Sequence, residues 1–158
     1  MAVAELDWHA ERSDLHGLAQ LDRSPSDDGI DLVAVRSYRQ ARVRAQMLVY
    51  GVDAVILSNP VNIRYATGTR NMQVFSMRNA PSRYLLMTQD RSILFEFTGC
   101  EHLADGFETV DEVRQAKTAS FVAAGPHIAA RERAWGLEMA ALIRELTGER
   151  EATVGVER

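Results

Sequence analysis

The chain has 158 residues, 46% of them hydrophobic and 25% charged, with a formal net charge of −4. That is enough for one domain with a real core, or a domain with a tail, and is ordinary usage for a globular fold. The charge gives no electrostatic case for nucleic acid, the single cysteine, Cys100, excludes an internal disulfide framework, and apolar runs of about five residues are too short to span a bilayer.

The first residues, MAVAELDWHAERSD, carry acids where a secretory signal would carry basic residues, and no apolar core follows them. A cytoplasmic location is therefore the default. Residues 1–28 read as an N-terminal extension, partly disordered or holding one short helix through Leu6, Leu15, Leu18 and Leu21. The cluster DRSPSDDG closes the extension as a linker. From Asp31 the pattern becomes regular. Val35, Tyr38, Ala41, Ala45 and Leu48 recur every three or four residues and predict a helix that buries that face. Asp31 is placed to cap its start, and Gly51 suits the left-handed residue past its end. Arg36, Arg39, Arg42 and Arg44 fall on its other sides and read as a solvated face, with no aromatic platform for RNA.

After Gly51-Val52-Asp53, the short β-branched run AVILS predicts a buried strand. Asn59-Pro60 then starts a helix of about two turns, with Asn59 as cap, proline in the first turn and Gly68 as the stop. Val61, Ile63 and Tyr65 are its expected apolar contacts, and Asn62 and Tyr65 are expected to fix it by hydrogen bonding and packing. It follows the carboxyl end of a strand, the edge where ligands collect in open α/β sheets. The segment TRNMQVFSMRNAPS is long for a connection, and long ordered loops tend to carry function. RYLLMT and SILFEF flank Gln89-Asp90-Arg91 as a β-hairpin. TGCEHLAD predicts a half-turn of helix and GFETVDEV a further strand. Ile128, Trp135, Met139, Leu142 and Leu146 mark a second long helix closed by Thr147-Gly148, and ATVGVER reads as a last strand. The expected fold class is α/β, with a mixed central β-sheet flanked by helices.

No Walker loop, G-x-G-x-x-G, G-x-S-x-G or H-E-x-x-H motif occurs, so no catalytic residue and no metal ligand is assigned. Glu96, Cys100, Glu101 and His102 are the one tight cluster of ligand types. Cys100 and His102 would share a side in a strand, but a partly buried cysteine beside a surface Glu-His pair is the preferred reading. Arg70, Asn71, Phe75 and Arg78 are the candidate substrate-binding group. Two guanidinium groups beside an amide and a ring can grip a carboxylate while the ring covers a cationic group. Solvated arginines and packed Met72, Val74, Phe75 and Met77 are the alternative reading.

The block YRQARVRAQMLVYGVDAVILSNPVNIRYATG resembles the start of the amino-terminal domain of the creatinase, prolidase and Xaa-Pro aminopeptidase family, the pita-bread metalloenzymes. The matching positions are Met47, Gly51, Asp53, Ala54, Asn62, Tyr65 and Gly68, and VGVER matches the strand leading into the catalytic domain. The resemblance covers residues 29–158 and implies a ribonuclease H-like motif. GTRNMQVFSMRNAPSRYLL and FETVDEVRQA look most like the dimethylsulfoniopropionate lyase branch, which releases dimethyl sulfide and acrylate. Xaa-Pro peptidase, ectoine hydrolase, creatinase-like and inactive protein-binding members are the rivals. The resemblance implies no cofactor in this chain and paired divalent metal ions in a carboxyl-terminal pita-bread domain that this sequence lacks. It implies the catalytic domain and a second copy as partners, and a small zwitterionic or amino-acid-like substrate met through the parent enzyme. Neither nucleic acid nor membrane is an expected partner.

Overall fold

The computed structural model describes residues 29–71, 82–117, 124–148 and 151–157. The chain divides into two units, Met1–Leu32 and Val33–Arg158. The described part of the first is Gly29–Leu32, with exposed Ile30 and Leu32. The expected helix at residues 1–28 lies outside the described residues.

From Leu32 onward the order is α1 (Leu32–Val49), β1 (Ala54–Leu57), α2 (Pro60–Thr67), β2 (Tyr84–Thr88), β3 (Ser92–Glu96), β4 (Glu112–Gln115), α3 (Ile128–Thr147) and β5 (Val154–Val156). Short 3₁₀ turns sit at Glu101–Ala104 and Gly125–His127. The strands form one sheet in the order β4-β3-β2-β1-β5. β2 runs antiparallel to β1 and to β3, while β4 is parallel to β3 and β5 parallel to β1. This is the mixed, helix-flanked sheet that the sequence predicts, with the elements in the predicted order. Two strands are markedly shorter than expected: Gly106–Asp111 is spent on turns and only Glu112–Gln115 pairs, and of ATVGVER only Val154–Val156 is strand.

The two faces of the sheet bury different sets of residues. Ala54, Ile56, Tyr84, Leu86, Ile93 and Phe95 point to one face and pack with Met139, Leu142 and Ile143 of α3. Tyr84 stacks on Phe95 with ring centres 4.5 Å apart, and Trp135 meets Tyr84 edge-on at 6.0 Å. Leu85, Met87 and Leu94 alternate onto the other face and pack with Met47 of α1 and Ile63 and Ala66 of α2.

The ends of the short helices follow their sequences. Gly51 has φ +62; its N–H donates to Leu48 O and that of Val52 to Met47 O, a Schellman ending. Asn59 Oδ1 accepts the Val61 N–H at 2.9 Å, Pro60 takes the first turn, and Gly68 closes α2 with φ +80. Within α2 the inward residues are Ile63, Ala66 and Thr67; Val61 and Tyr65, expected as contacts, are exposed.

α1 departs from expectation more deeply. Its predicted buried face is outside: Tyr38 is 62% and Leu48 68% exposed, and Ala41 and Ala45 are exposed as well. The inward line runs through Arg36, Gln40, Val43, Arg44 and Met47, of which Gln40 and Met47 are fully buried. The physical reason is that β2, β3 and the Thr109 turn present polar groups there. Gln40 Nε2 donates to Thr109 O at 2.6 Å and to Ser92 Oγ at 3.1 Å. Arg44 donates to Thr88 O, Ser92 Oγ and Gln40 Oε1. Arg36 and Arg44 are thus structural side chains, not members of a solvated face.

Candidate functional site

The site is built on the segment running from the end of β1 through α2 to Asn71. At the start of α2 the carboxylate of Glu157, which follows β5, accepts N–H bonds from Ser58 at 2.5 Å and Asn59 at 2.6 Å. Its other oxygen accepts from Asn62 Nδ2. A negative side chain on free N–H groups at a helix start is favoured by both hydrogen bonding and the helix dipole. Asn62 thus ties α2 to the end of β5. Tyr65 packs otherwise than expected: its exposed ring lies beneath the Arg39 guanidinium, 5.7 Å away.

At the far end of α2, Gly68 suits both its backbone and the side chain that crosses it. Its φ is left-handed, and a Cβ there would lie 2.1 Å from Arg36 Cδ. The Arg36 stem crosses this turn to a two-pronged ion pair with Glu108, at 2.7 and 2.9 Å, and its guanidinium lies 5.2 Å from the Phe107 ring centre. The arginine draws the Glu108 carboxyl below the usual carboxylate range, mainly through these hydrogen bonds.

Thr69–Asn71 lie in neither helix nor strand, and bonds to side chains hold them. Thr67 Oγ1 donates to Ile63 O and stands 2.7 Å from Thr69 Oγ1. Thr109 Oγ1 donates to Thr67 O. Arg83 and Glu96, both fully buried, pair at 2.6 Å. They lie one step beyond the Tyr84–Phe95 register pair, so the hairpin places them opposite each other. Arg83 Nη2 donates to Thr69 Oγ1 at 2.8 Å. Glu96 Oε1 accepts from Asn71 Nδ2 at 2.6 Å and from Phe97 N at 2.9 Å.

Of the four candidate substrate-binding residues, Arg70 is exposed, while its neighbours Thr69 and Asn71 are buried. Asn71 is turned inward onto Glu96 rather than outward beside Arg70. Phe75 and Arg78 lie outside the described residues. Arg83 and its pairing with Glu96 were missed in the sequence. The available signal was the hairpin itself, since each residue lies the same distance from its tip. The ligand-type cluster does not assemble: Glu96 is committed to Arg83, and Cys100 and His102 lie at a 3₁₀ turn where the strand argument fails. Among the described residues no group of three or more His, Cys, Asp or Glu could hold a metal ion. No described helix is long and apolar enough to cross a membrane.

On the other face, burial pushes the Tyr84 hydroxyl up to about 12, although it accepts the Lys117 N–H at 3.2 Å. Lys117 Nζ pairs with Glu138 at 2.7 Å on the surface of α3. These groups brace the sheet against α3 and do not reach Arg70's segment.

The described residues thus form a mixed five-stranded sheet with a glycine-closed helix after its first strand and a final strand returning beside that first one. The creatinase/prolidase N-terminal domain model matches residues 39–158, and the chain belongs to that family. It is similar to the dimethylsulfoniopropionate lyase DddP of Roseobacter denitrificans, with 24% identity over 143 residues, 90% of this chain and 29% of the lyase. The chain thus spans under a third of the length of that relative. Among solved structures it is similar to an Xaa-Pro aminopeptidase from Streptococcus pyogenes, with 17% identity, TM-score 0.48, 80% of this chain and 94% of that one. A Streptococcus thermophilus aminopeptidase P aligns with 14% identity, TM-score 0.44, 78% of this chain and 92% of that one.

Proposed function

We propose that this domain is the non-catalytic amino-terminal part of a metal-dependent lyase or hydrolase, dimethylsulfoniopropionate lyase-like, in which it closes over the active site and assists dimerisation. The observation that carries the reading is Arg70: exposed, charged, and flanked on both sides by buried, hydrogen-bonded residues. A guanidinium on so fixed a root suits two-pronged capture of a substrate carboxylate. Phe75 and Arg78 would complete the contact with a zwitterionic substrate, the ring facing the sulfonium. Asn71 then positions the segment from within, and closure excludes water from the reaction.

The similarity to the Roseobacter lyase over 90% of this chain supports the choice of substrate class. The outward face of α1 supports a partner surface. Tyr38, Leu48, Val49 and Tyr50 are exposed, and a groove of about 290 Å³ opens between α1 and α2 beside Tyr65. Paired divalent ions, which activate water or polarise a substrate, would be held by the catalytic domain of the parent enzyme.

The test is Arg70→Ala in a full-length enzyme carrying this domain, followed by dimethyl sulfide release. KM for dimethylsulfoniopropionate should rise about tenfold or more, the scale of one lost charge-assisted pair. Unchanged kinetics would remove Arg70 from the substrate's surroundings.

A further inference from the structure

We propose that the buried Arg83–Glu96 pair is a positioning device for Arg70 and not a source of stability; the proposal rests on reading Arg70 as the substrate-facing residue. The pair grips the chain on both sides of Arg70. Arg83 holds Thr69 through Nη2, and Glu96 holds Asn71 through Oε1. Between these two ties the backbone has no helix or strand bonds of its own. Directional bonds from a rigid hairpin are therefore what fixes where Arg70 leaves the domain.

The energetics point the same way. Both partners are fully buried, and a buried ion pair gains little over apolar side chains of equal volume, because desolvation offsets the attraction. Nη1 of Arg83 is buried with no hydrogen-bond partner among the described residues, which adds a further cost. An apolar pair would fill this end of the sheet and continue the Leu85, Met87 and Leu94 surface beside it, and the groups it releases on Thr69, Asn71 and Phe97 meet water once the segment opens. Such a pair could not hold Thr69 and Asn71.

The experiment uses the whole 158-residue chain with Arg83→Met and Glu96→Leu combined. Thermal melting is read beside amide hydrogen exchange at Thr69–Asn71 and trypsin cleavage after Arg70. The melting temperature should stay at or above that of the parent, while exchange and cleavage accelerate about tenfold or more, as for a segment released to local opening. Arg83→Met with Glu96→Gln keeps an oxygen for Asn71 and Phe97 and should recover most of the protection. An apolar pair that melts far below the parent overturns the proposal, and so do parental exchange rates in the folded variant. Asn71→Ala cuts one tie more gently: cleavage after Arg70 should again rise about tenfold, with little change in melting, and unchanged cleavage also overturns the proposal. None of these readouts involves substrate. A loosened segment combined with normal Arg70→Ala kinetics would leave the clamp standing and remove the substrate reading alone.

Discussion

α1 and α3 flank the same sheet from opposite faces, and they are attached by opposite means. α3 lays Met139, Leu142 and Ile143 against an apolar surface of Ile56, Leu86, Ile93 and Phe95. Its hold is area removed from water, which tolerates small shifts of either surface. α1 turns Gln40 and Arg44 inward onto Ser92, Thr88 and Thr109, and leaves Tyr38 and Leu48 outside. Its hold is a set of directional bonds around a small apolar centre at Met47. A face held by bonds fixes register and angle, and it is this face that carries Gly68, Thr69 and Asn71. The α3 face supplies the core, and the α1 face supplies the geometry around Arg70.

The largest effect that separates the two faces is expected at Leu142→Ala. The side chain is buried in the α3 core, and its loss should cost about 3 kcal/mol, transfer and cavity together. Leu48→Gln on the outward face of α1 should shift the unfolding midpoint by no more than about 0.5 kcal/mol. Denaturant titration of the two variants decides the matter, and equal losses would mean that α1 buries what α3 buries.

Gln40→Leu is a sharper probe. On an apolar-packed helix this change would be mild. Here it leaves Thr109 O and Ser92 Oγ short of a donor and takes from Arg44 one of its acceptors. About 1–3 kcal/mol should be lost, the penalty of buried groups left unsatisfied. A variant as stable as the parent would show that the bonds of α1 do not hold it.

The same contrast explains what could be read in the sequence. α3 was legible because its apolar stripe and its buried stripe coincide. α2 was legible because Asn59, Pro60 and Gly68 act locally, each through its own backbone. The hairpin was legible from two apolar runs around a polar tip. α1 misled because periodicity marks where the apolar residues lie and takes water to be opposite them. The partners that turn Gln40 inward, Ser92 and Thr109, are 52 and 69 residues away. No local pattern announces them. Arg83 and Glu96 were hidden for a related reason: charged residues at strand ends usually mark the surface, and only the register of the hairpin sets these two face to face. For the candidate site, residue type singled out Arg70, which lies exposed, whereas the inward turn of Asn71 depends on Glu96 at the end of β3, 25 residues away.

The smallest effect expected concerns Arg36, the third polar side chain on the inward line of α1, and it is a matter of pH. Arg36 holds the Glu108 carboxyl below the usual carboxylate range. In the unfolded chain that carboxyl returns to the usual range. As the pH falls between the two values, the unfolded chain takes up a proton that the folded chain refuses, so stability declines through that window. Above the window the pair's contribution is fully present; below it the contribution is gone. Because both side chains are partly open to water, solvent screening keeps the total to about 0.5–1 kcal/mol. Glu108→Gln should therefore melt slightly below the parent at neutral pH and level with it at strongly acid pH, and added salt should narrow the neutral gap. Glu112 is lowered by Arg114 in the same way and remains in both proteins, so only the difference between the two melting curves reports on Glu108. A gap that stays constant from neutral to acid pH would mean that the Arg36 stem crosses Gly68 for packing alone, and the turn that leads to Arg70 would then owe nothing to this ion pair.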